Sequence, residues 1–568
     1  MNNVAMNHAN AEGLNPRACG WLRHIWDKAT TQDDWSSSGE PLPWWDRYTT
    51  PPMCSFPRFD LSETSYALPL MADQTPAWRE VYTRIADELV GRYATYWGAI
   101  DWLTYIGHSP HQDKYPPEWL VFMPEHMRGS YDPPGWTANG VEPWGLQPDP
   151  IGADGNLFFR GFFNLLLGSY SYVSGNDKWE KPFEVTGYND RMFQWTQHSI
   201  TEFIADQWSE RPQGAQCENT KIWPYCLSAA GLSLQLHDKL FGGNSHWVYD
   251  QWIEYAKKHF TQRNARGDIT SFAFYYDPLE KFAYSPPPGL SGYSMLAPLF
   301  YLYPQAPEFG LQLYEAGVNA LGWNDRSKSL VQAFDDPRWI TMTMMLAREV
   351  GDLTTENRLK SVAEREWGPN FFGDDEDRFA WGFGLAEPHP RGQLNGLMIL
   401  SEIGGPGAWT NIYKGSRNGQ FDLPTVEGVD FPTLGISAAS NDINDGTLHV
   451  STYAATSARR GAATSWRVSQ LRDPATVQIY CDDQLYNDWG VVGDNTIEIN
   501  STIGEHRFHI ANTGSELGAM ESERVAMNGG SSRSNTSINA SVGAGSAVIE
   551  TATKTHYKPA APPSCSCC

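Results

Sequence analysis

Up to about residue 405 the apolar positions recur at helical spacing, and beyond it they alternate. The stretch Asn156–Ser174 is long, apolar and bounded by Gly155 and Gly175, which predicts a buried helix. Met192, Phe193, Trp195, Ile200, Phe203, Ile204 and Trp208 follow a helical stripe over 190–208. Three further helices are predicted at Tyr225–Phe241, Trp339–Val350 and Gln393–Ile403, each stopped by the glycine that follows. Beyond Gly404-Gly405-Pro406-Gly407 the runs 447–453, 476–481, 496–500 and 506–510 have the period of two expected of strands.

Tryptophan follows the same divide, with 21 of the 24 before Gly405. A helix with its loop takes roughly 33 residues, so about twelve would fill the first part. The expected class is mainly α: an (α/α)6 barrel over 1–405, a C-terminal β-sandwich over 406–555 and a flexible Cys-rich tail over 556–568. Long loops rich in Trp, Pro and Gly, notably 106–155 and 274–293, would build a deep pocket at one rim.

The chain of 568 residues carries 42 Lys and Arg against 66 Asp and Glu, a net charge of −24. Such a surface repels phosphate backbones, so no nucleic-acid partner is expected. No apolar run reaches the roughly 18–20 residues of a membrane span. The polar stretch Met1–Asn15 lacks the apolar core of a signal peptide, and a cytoplasmic location is expected. Eight cysteines are too sparse for a disulfide scaffold.

The most informative segment runs from Gln216 to Cys226 and brackets Glu218 and Trp223 between Cys217 and Cys226. A spacing of nine suits neither a Cys-x-x-Cys redox pair nor a zinc site, although a disulfide stays open. A helix starting near Tyr225 would stabilise a thiolate at its N-terminus. His198, His237 and His246 have no ligand partner three or four residues away, so no metal site is expected. The run Asp374, Asp375, Glu376 and Asp377 reads as a solvated loop. No phosphate-binding, dinucleotide-binding or nucleophile-elbow motif occurs, and no cofactor is expected.

Four segments in order resemble the linalool dehydratase-isomerase family: Asn156–Asn164 with the apolar run after it, Cys217-Glu218 through Trp223-Pro-Tyr-Cys226, Phe274–Pro278 followed by Ser291-Gly292-Tyr293, and Met345–Asp352. Glu387–Gly392 is a further echo. The resemblance covers roughly 150–405. It implies an (α/α)6 barrel with the site at its mouth, a homo-oligomer in which a neighbour completes that site, and cofactor-free acid–base chemistry on a small terpene alcohol. It also implies that Cys217 and Cys226 move protons, that Tyr293 is an active-site tyrosine, that Trp223 is a pocket wall and that Phe158 takes the place of a pocket methionine. The family's substrate-contacting aspartate falls on Asp46, with Asp34 as the second choice.

The sequence departs from the family at Phe162, which stands where the family has a histidine. A phenyl ring moves no proton, so the same constellation cannot run unchanged. The pocket is expected to be larger and more apolar, with Glu218 beside it, and to serve a terpenoid or polyketide-derived substrate. The expected function is a lyase or isomerase, of dehydratase, double-bond isomerase or cyclase type. A thiol is mostly protonated at neutral pH and is suited to donate. One alternative is a carbohydrate-active enzyme, marked by two carboxylates about 5–10 Å apart across a cleft. Another is a lipophilic-ligand-binding protein with a lapsed site.

Overall fold

Helices run from Pro16 to Lys414 and a strand region follows from Thr425 to Ala511. The computed structural model describes residues 13–46, 57–99, 149–152, 157–187, 190–217, 221–278, 281–286, 290–327, 337–384, 387–415, 419–442 and 444–512. Glu218, most of the loop 106–155 and the tail 556–568 therefore lie outside the described residues. Among the described residues, no helix is long and apolar enough to cross a membrane.

The first helices are α1 (Pro16–Thr30), α2 (Pro57–Thr64), α3 (Ala67–Gln74), α4 (Glu80–Tyr93) and α5 (Leu157–Ser174). There follow α6 (Gln197–Ser209), α7 (Pro224–Phe241), α8 (Trp247–His259), α9 (Ser291–Leu296) and α10 (Leu299–Gln305). The last are α11 (Pro307–Leu321), α12 (Pro337–Glu349), α13 (Leu353–Glu366), α14 (Gly392–Met398) and α15 (Ala408–Lys414).

Helix α5 is buried on every side from Leu157 to Val173. Each fully buried Leu or Phe there contributes ~1.5–3 kcal/mol. It lies close along α7, where a Cβ on Gly161 would meet the Ala230 Cβ at 2.9 Å. The one amide between them is satisfied: Asn164 Nδ2 donates to Thr201 Oγ1 and to Ser233 Oγ, both at 3.1 Å. Gly242, at φ +81°, closes α7 in a conformation that a side chain would strain.

The helical stripe expected over 190–208 is only partly helical. Met192–Trp195 is a strand paired with Phe183–Thr186, and the helix begins after Thr196. Thr196 and Ser199 form a reciprocal capping box there, which overrides the apolar spacing upstream. Three more short antiparallel pairs interrupt the helices: 261–263 with 269–272, 275–277 with 282–284, and 369–372 with 378–381.

The C-terminal strands form two antiparallel sheets, of five and four strands. In the larger, Leu434–Asp442 pairs with Thr447–Ala454, which pairs with Arg507–Ala511. In the smaller, Ala463–Ser469 pairs with Thr496–Thr502. Trp466 of one sheet meets Phe508 of the other edge to face at 5.2 Å, so alternate residues share an interior.

This region is laced to the N-terminal helices by backbone bonds. Leu14 N–H donates to Ser437 O at 2.7 Å, and Ala77 N–H donates to Ala439 O at 3.0 Å. Val426 N–H donates to Ala77 O at 2.7 Å. Glu80 at the start of α4 accepts the N–H groups of Gly428 and Val429, each at 2.9 Å. Cys19 of α1 lies buried near Tyr453, and burial pushes its thiol up to about 12.

Candidate active site

Cys217 follows α6 in the chain, and its N–H donates to Lys221 O at 2.7 Å. Lys221 in turn is held by a fully buried ion pair with Asp277, 3.1 Å apart. Ile222 and Tyr276 add a reciprocal backbone bridge of 2.8 Å bonds. The Cys217 sulfur lies at the start of α5, where it accepts the Phe158 N–H at 3.3 Å. Cys226 is the third residue of α7 and is buried. Both thiols are free, which rules out the disulfide between them.

Phe158 and Phe162 stand one turn apart on α5 and face Phe59 of α2, with ring centroids at 5.8 and 5.9 Å. The Arg58 guanidinium sits 3.7 Å from the Phe158 ring centroid, so that ring's π-face is already used by a cation. Phe162 continues onto the Tyr225 and Tyr301 rings, at 6.0 and 5.7 Å. The structure therefore joins Cys217, Phe158 and Phe162, and reaches the residue beside Cys226.

The other sequence candidates are placed by different neighbours. Trp223, the residue before α7, packs on Phe274 and Tyr275 at 5.6 and 5.1 Å. Tyr293 of α9 packs on Trp323 and Trp339 at 6.3 and 6.4 Å. Asp46 is buried, and its two carboxylate oxygens accept the N–H groups of Gly392 and Gln393, each at 3.1 Å. It caps α14, with its own N–H donating to Asp60 Oδ2 at 3.0 Å. Asp34 is exposed in a turn, and the Ser36 N–H at 3.0 Å holds its carboxyl below the usual range.

The group that sequence reasoning missed is Glu63 of α2. It is fully buried, and burial pushes its carboxyl up to about 7. Side chains of Gln393 and Tyr225 and the charge of Arg338 offset part of that rise. Tyr225 Oη donates to Glu63 Oε1 at 3.0 Å, while Oε2 has no hydrogen-bond partner among the described residues. The hydroxyls of Tyr225 and Tyr301 are 3.4 Å apart, and those of Tyr301 and Tyr66 are 3.3 Å apart. A chain of three phenols thus leads to one carboxyl group, beside the ring of Phe162.

Burial raises all three phenols well above their usual range, so they stay protonated and can only donate or relay. Phe59 and Tyr225 are half-buried residues, whereas Glu63 is fully buried. One local signal for this site was present, since Tyr225 is the Tyr of the Trp-Pro-Tyr-Cys motif. For Glu63, inside the polar run Ser62-Glu63-Thr64-Ser65, only the fold reveals burial.

Among solved structures, the chain is similar to the endoglucanase CelQ from Clostridium thermocellum, in complexes with cellotriose. The identity is 13%, over 88% of this chain and 92% of that one, with a TM-score of 0.33. It is also similar to a GH127 β-L-arabinofuranosidase from Geobacillus stearothermophilus T6. There the identity is 10%, over 80% and 76% of the two chains, with a TM-score of 0.24. The linalool dehydratase/isomerase family model matches residues 137–376, a span that contains Phe158, Phe162, both cysteines, Trp223 and Tyr293. Over this segment the chain is similar to the linalool dehydratase/isomerase family.

Proposed function

We propose that the chain is a cofactor-independent lyase or isomerase that removes or shifts a hydroxyl group on a hydrophobic metabolite, with Glu63 as its principal acid–base group. The observation that carries this reading is the state of Glu63: buried, raised to about 7, with one oxygen held by Tyr225 and the other without a hydrogen-bond partner among the described residues. A carboxyl group near 7 can give a proton and take one back at neutral pH.

The departure at Phe162 then has a counterpart. The ring that replaces the family's histidine touches Tyr225 and Tyr301, the two phenols that lead to Glu63. Protonated Glu63 gives its proton to the leaving hydroxyl, the C–O bond breaks, and water departs. A neighbouring C–H then loses its proton to the Glu63 carboxylate, and its electron pair forms the alkene. Return of water at the far end of the allyl system gives isomerisation instead. Cys217 and Cys226 serve as proton carriers in this reading, and Trp223 and Tyr293 as walls of the binding space.

Asp46 takes a different part from the one first expected. Its oxygens are committed to α14, so it positions Gln393, whose side chain acts on Glu63. The helical part is read as an (α/α)6 barrel and the two sheets as a β-sandwich buttressing it. The substrate class is a terpenoid or polyketide-derived alcohol.

The test is incubation of the purified chain with linear and cyclic terpenoid alcohols, with products resolved by gas chromatography and mass spectrometry. Alkene or transposed alcohol should form, and Glu63→Gln should reduce turnover on the order of 10²–10⁴-fold, the usual worth of such a group. Full turnover by a folded Glu63→Gln protein overturns the assignment.

A further inference from the structure

Spacing along the chain singles out no ligand pair among the histidines, yet the fold gathers two of them. His198 lies in the first turn of α6, His237 in the last turn and a half of α7, and Glu180 ends the 3-10 turn Lys178–Glu180. One potential ligand atom from each lies within 4.8 Å of the other two. The His198 and His237 rings are 5.7 Å apart.

A buried imidazole ordinarily has a hydrogen-bond partner on each nitrogen. His237 is only 3% exposed, and neither ring nitrogen has one among the described residues. Its Nε2 instead lies 3.4 Å from Glu180 Oε1, itself buried and without a hydrogen-bond partner. That separation matches the edge of a tetrahedron around zinc, about 3.3 Å for ligands at 2.0–2.1 Å from the ion. On the solvent side, Glu202 stands one turn beyond His198, with Oε1 3.3 Å from His198 Nε2.

We propose that Glu180, His198, His237 and Glu202 bind one divalent transition-metal ion, of which Zn²⁺ is the chemical type. Two imidazoles and two carboxylates form a neutral N₂O₂ set with such an ion. Imidazole favours zinc, nickel or copper over magnesium and calcium. The ion would occupy one His237 ring nitrogen, which has no hydrogen-bond partner among the described residues, and would cross-link three elements that are separate in the chain. Along α7, the eleven residues from Cys226 to His237 span about 16 Å, so the clasp lies away from the proposed reaction centre.

A second cluster, Cys481, Asp482 and His506, is already satisfied internally. His506 Nδ1 and Nε2 pair with Asp482 and Thr502 at 3.0 and 2.9 Å, and Asp482 also accepts the Arg507 N–H at 2.9 Å. It serves as the control.

The experiment uses the full chain with Cys565, Cys567 and Cys568 changed to Ser, stripped with chelator and titrated with ZnCl₂ in a calorimeter. One Zn²⁺ per chain should bind and raise the melting temperature, while MgCl₂ should do neither. His198→Ala, at a residue exposed enough to spare the fold, should weaken binding by about 10–100-fold, and Cys481→Ala should leave it unchanged. His237→Gln should abolish the thermal shift. Zinc bound equally well by the His198→Ala protein, or released by Cys481→Ala, overturns the proposal.

Discussion

Asp60 and Glu63 sit three residues apart on the same eight-residue helix, and water reaches neither. Asp60 is surrounded by donors: Lys28 Nζ at 2.8 and 3.1 Å, the Asp46 N–H at 3.0 Å and Thr64 Oγ1 at 3.2 Å. Glu63 has one phenol on one oxygen and no hydrogen bond on the other among the described residues. Burial raises both carboxyl groups, Asp60 to about 6 and Glu63 to about 7, so the two differ less in their protonation than in what each oxygen holds. A carboxylate whose lone pairs are all taken holds structure together. One left half-satisfied in a dry site is unstable as an anion, and that instability is what makes it useful to a reaction.

The comparison breaks most readily at Asp60. Asp60→Ala leaves Lys28 buried and unpaired, and should cost ~3–5 kcal/mol of stability in urea unfolding. Glu63→Gln should cost little or nothing by the same measurement, since no buried charge is stranded. Equal losses would show that both carboxyl groups are structural. Tyr225→Phe is the next largest: losing a hydrogen bond to a charged group should reduce turnover about tenfold to a hundredfold, and leave the circular dichroism spectrum unchanged.

The pH dependence sharpens the same contrast. Glu63 is raised in the folded state, so the folded chain binds more protons than the unfolded chain between the ordinary carboxyl range and about 7. Stability from this group is present at the acid end of that window and is lost as pH rises through it. Unfolding midpoints measured from pH 5 to 8 should fall for the native protein and fall less for Glu63→Gln. Asp46→Ala, which uncaps α14, should cost ~0.5–2 kcal/mol and lower turnover through Gln393. The smallest effect belongs to Asp34→Asn, for which neither melting temperature nor turnover should change; a tenfold drop in rate would restore Asp34 as a substrate contact.

Much of this was legible where chemistry is local. The buried helix at 157–174, the stop at Gly242 and the alternation of 447–454 follow from the order of residues, because period and glycine conformation are properties of short stretches. The stripe over 190–208 misled because Thr196 and Ser199 cap a helix that begins only at Gln197. Tyr225 of the cysteine motif hydrogen-bonds the Glu63 carboxyl group, a contact that the motif itself does not reveal. Glu63, Gln393 and Tyr301 come from three distant helices, and no spacing rule connects residues so far apart. The same holds for Glu180, His198 and His237, which look unremarkable one at a time.

The backbone bonds between the first helices and the late strands bear on how the chain is made. Ala77 waits for Ala439, and Leu14 for Ser437. At about 5–20 residues per second a ribosome needs roughly 20–85 s to add the intervening stretches. For that time α1 and the end of α3 lack their permanent partners, and apolar residues such as Leu14 and Ala77 are open to the wrong ones. Synthesis of this protein should therefore depend on factors that shield nascent chains. A chain cut short before the strands should be captured by them or aggregate, even with every residue of the proposed reaction centre already translated.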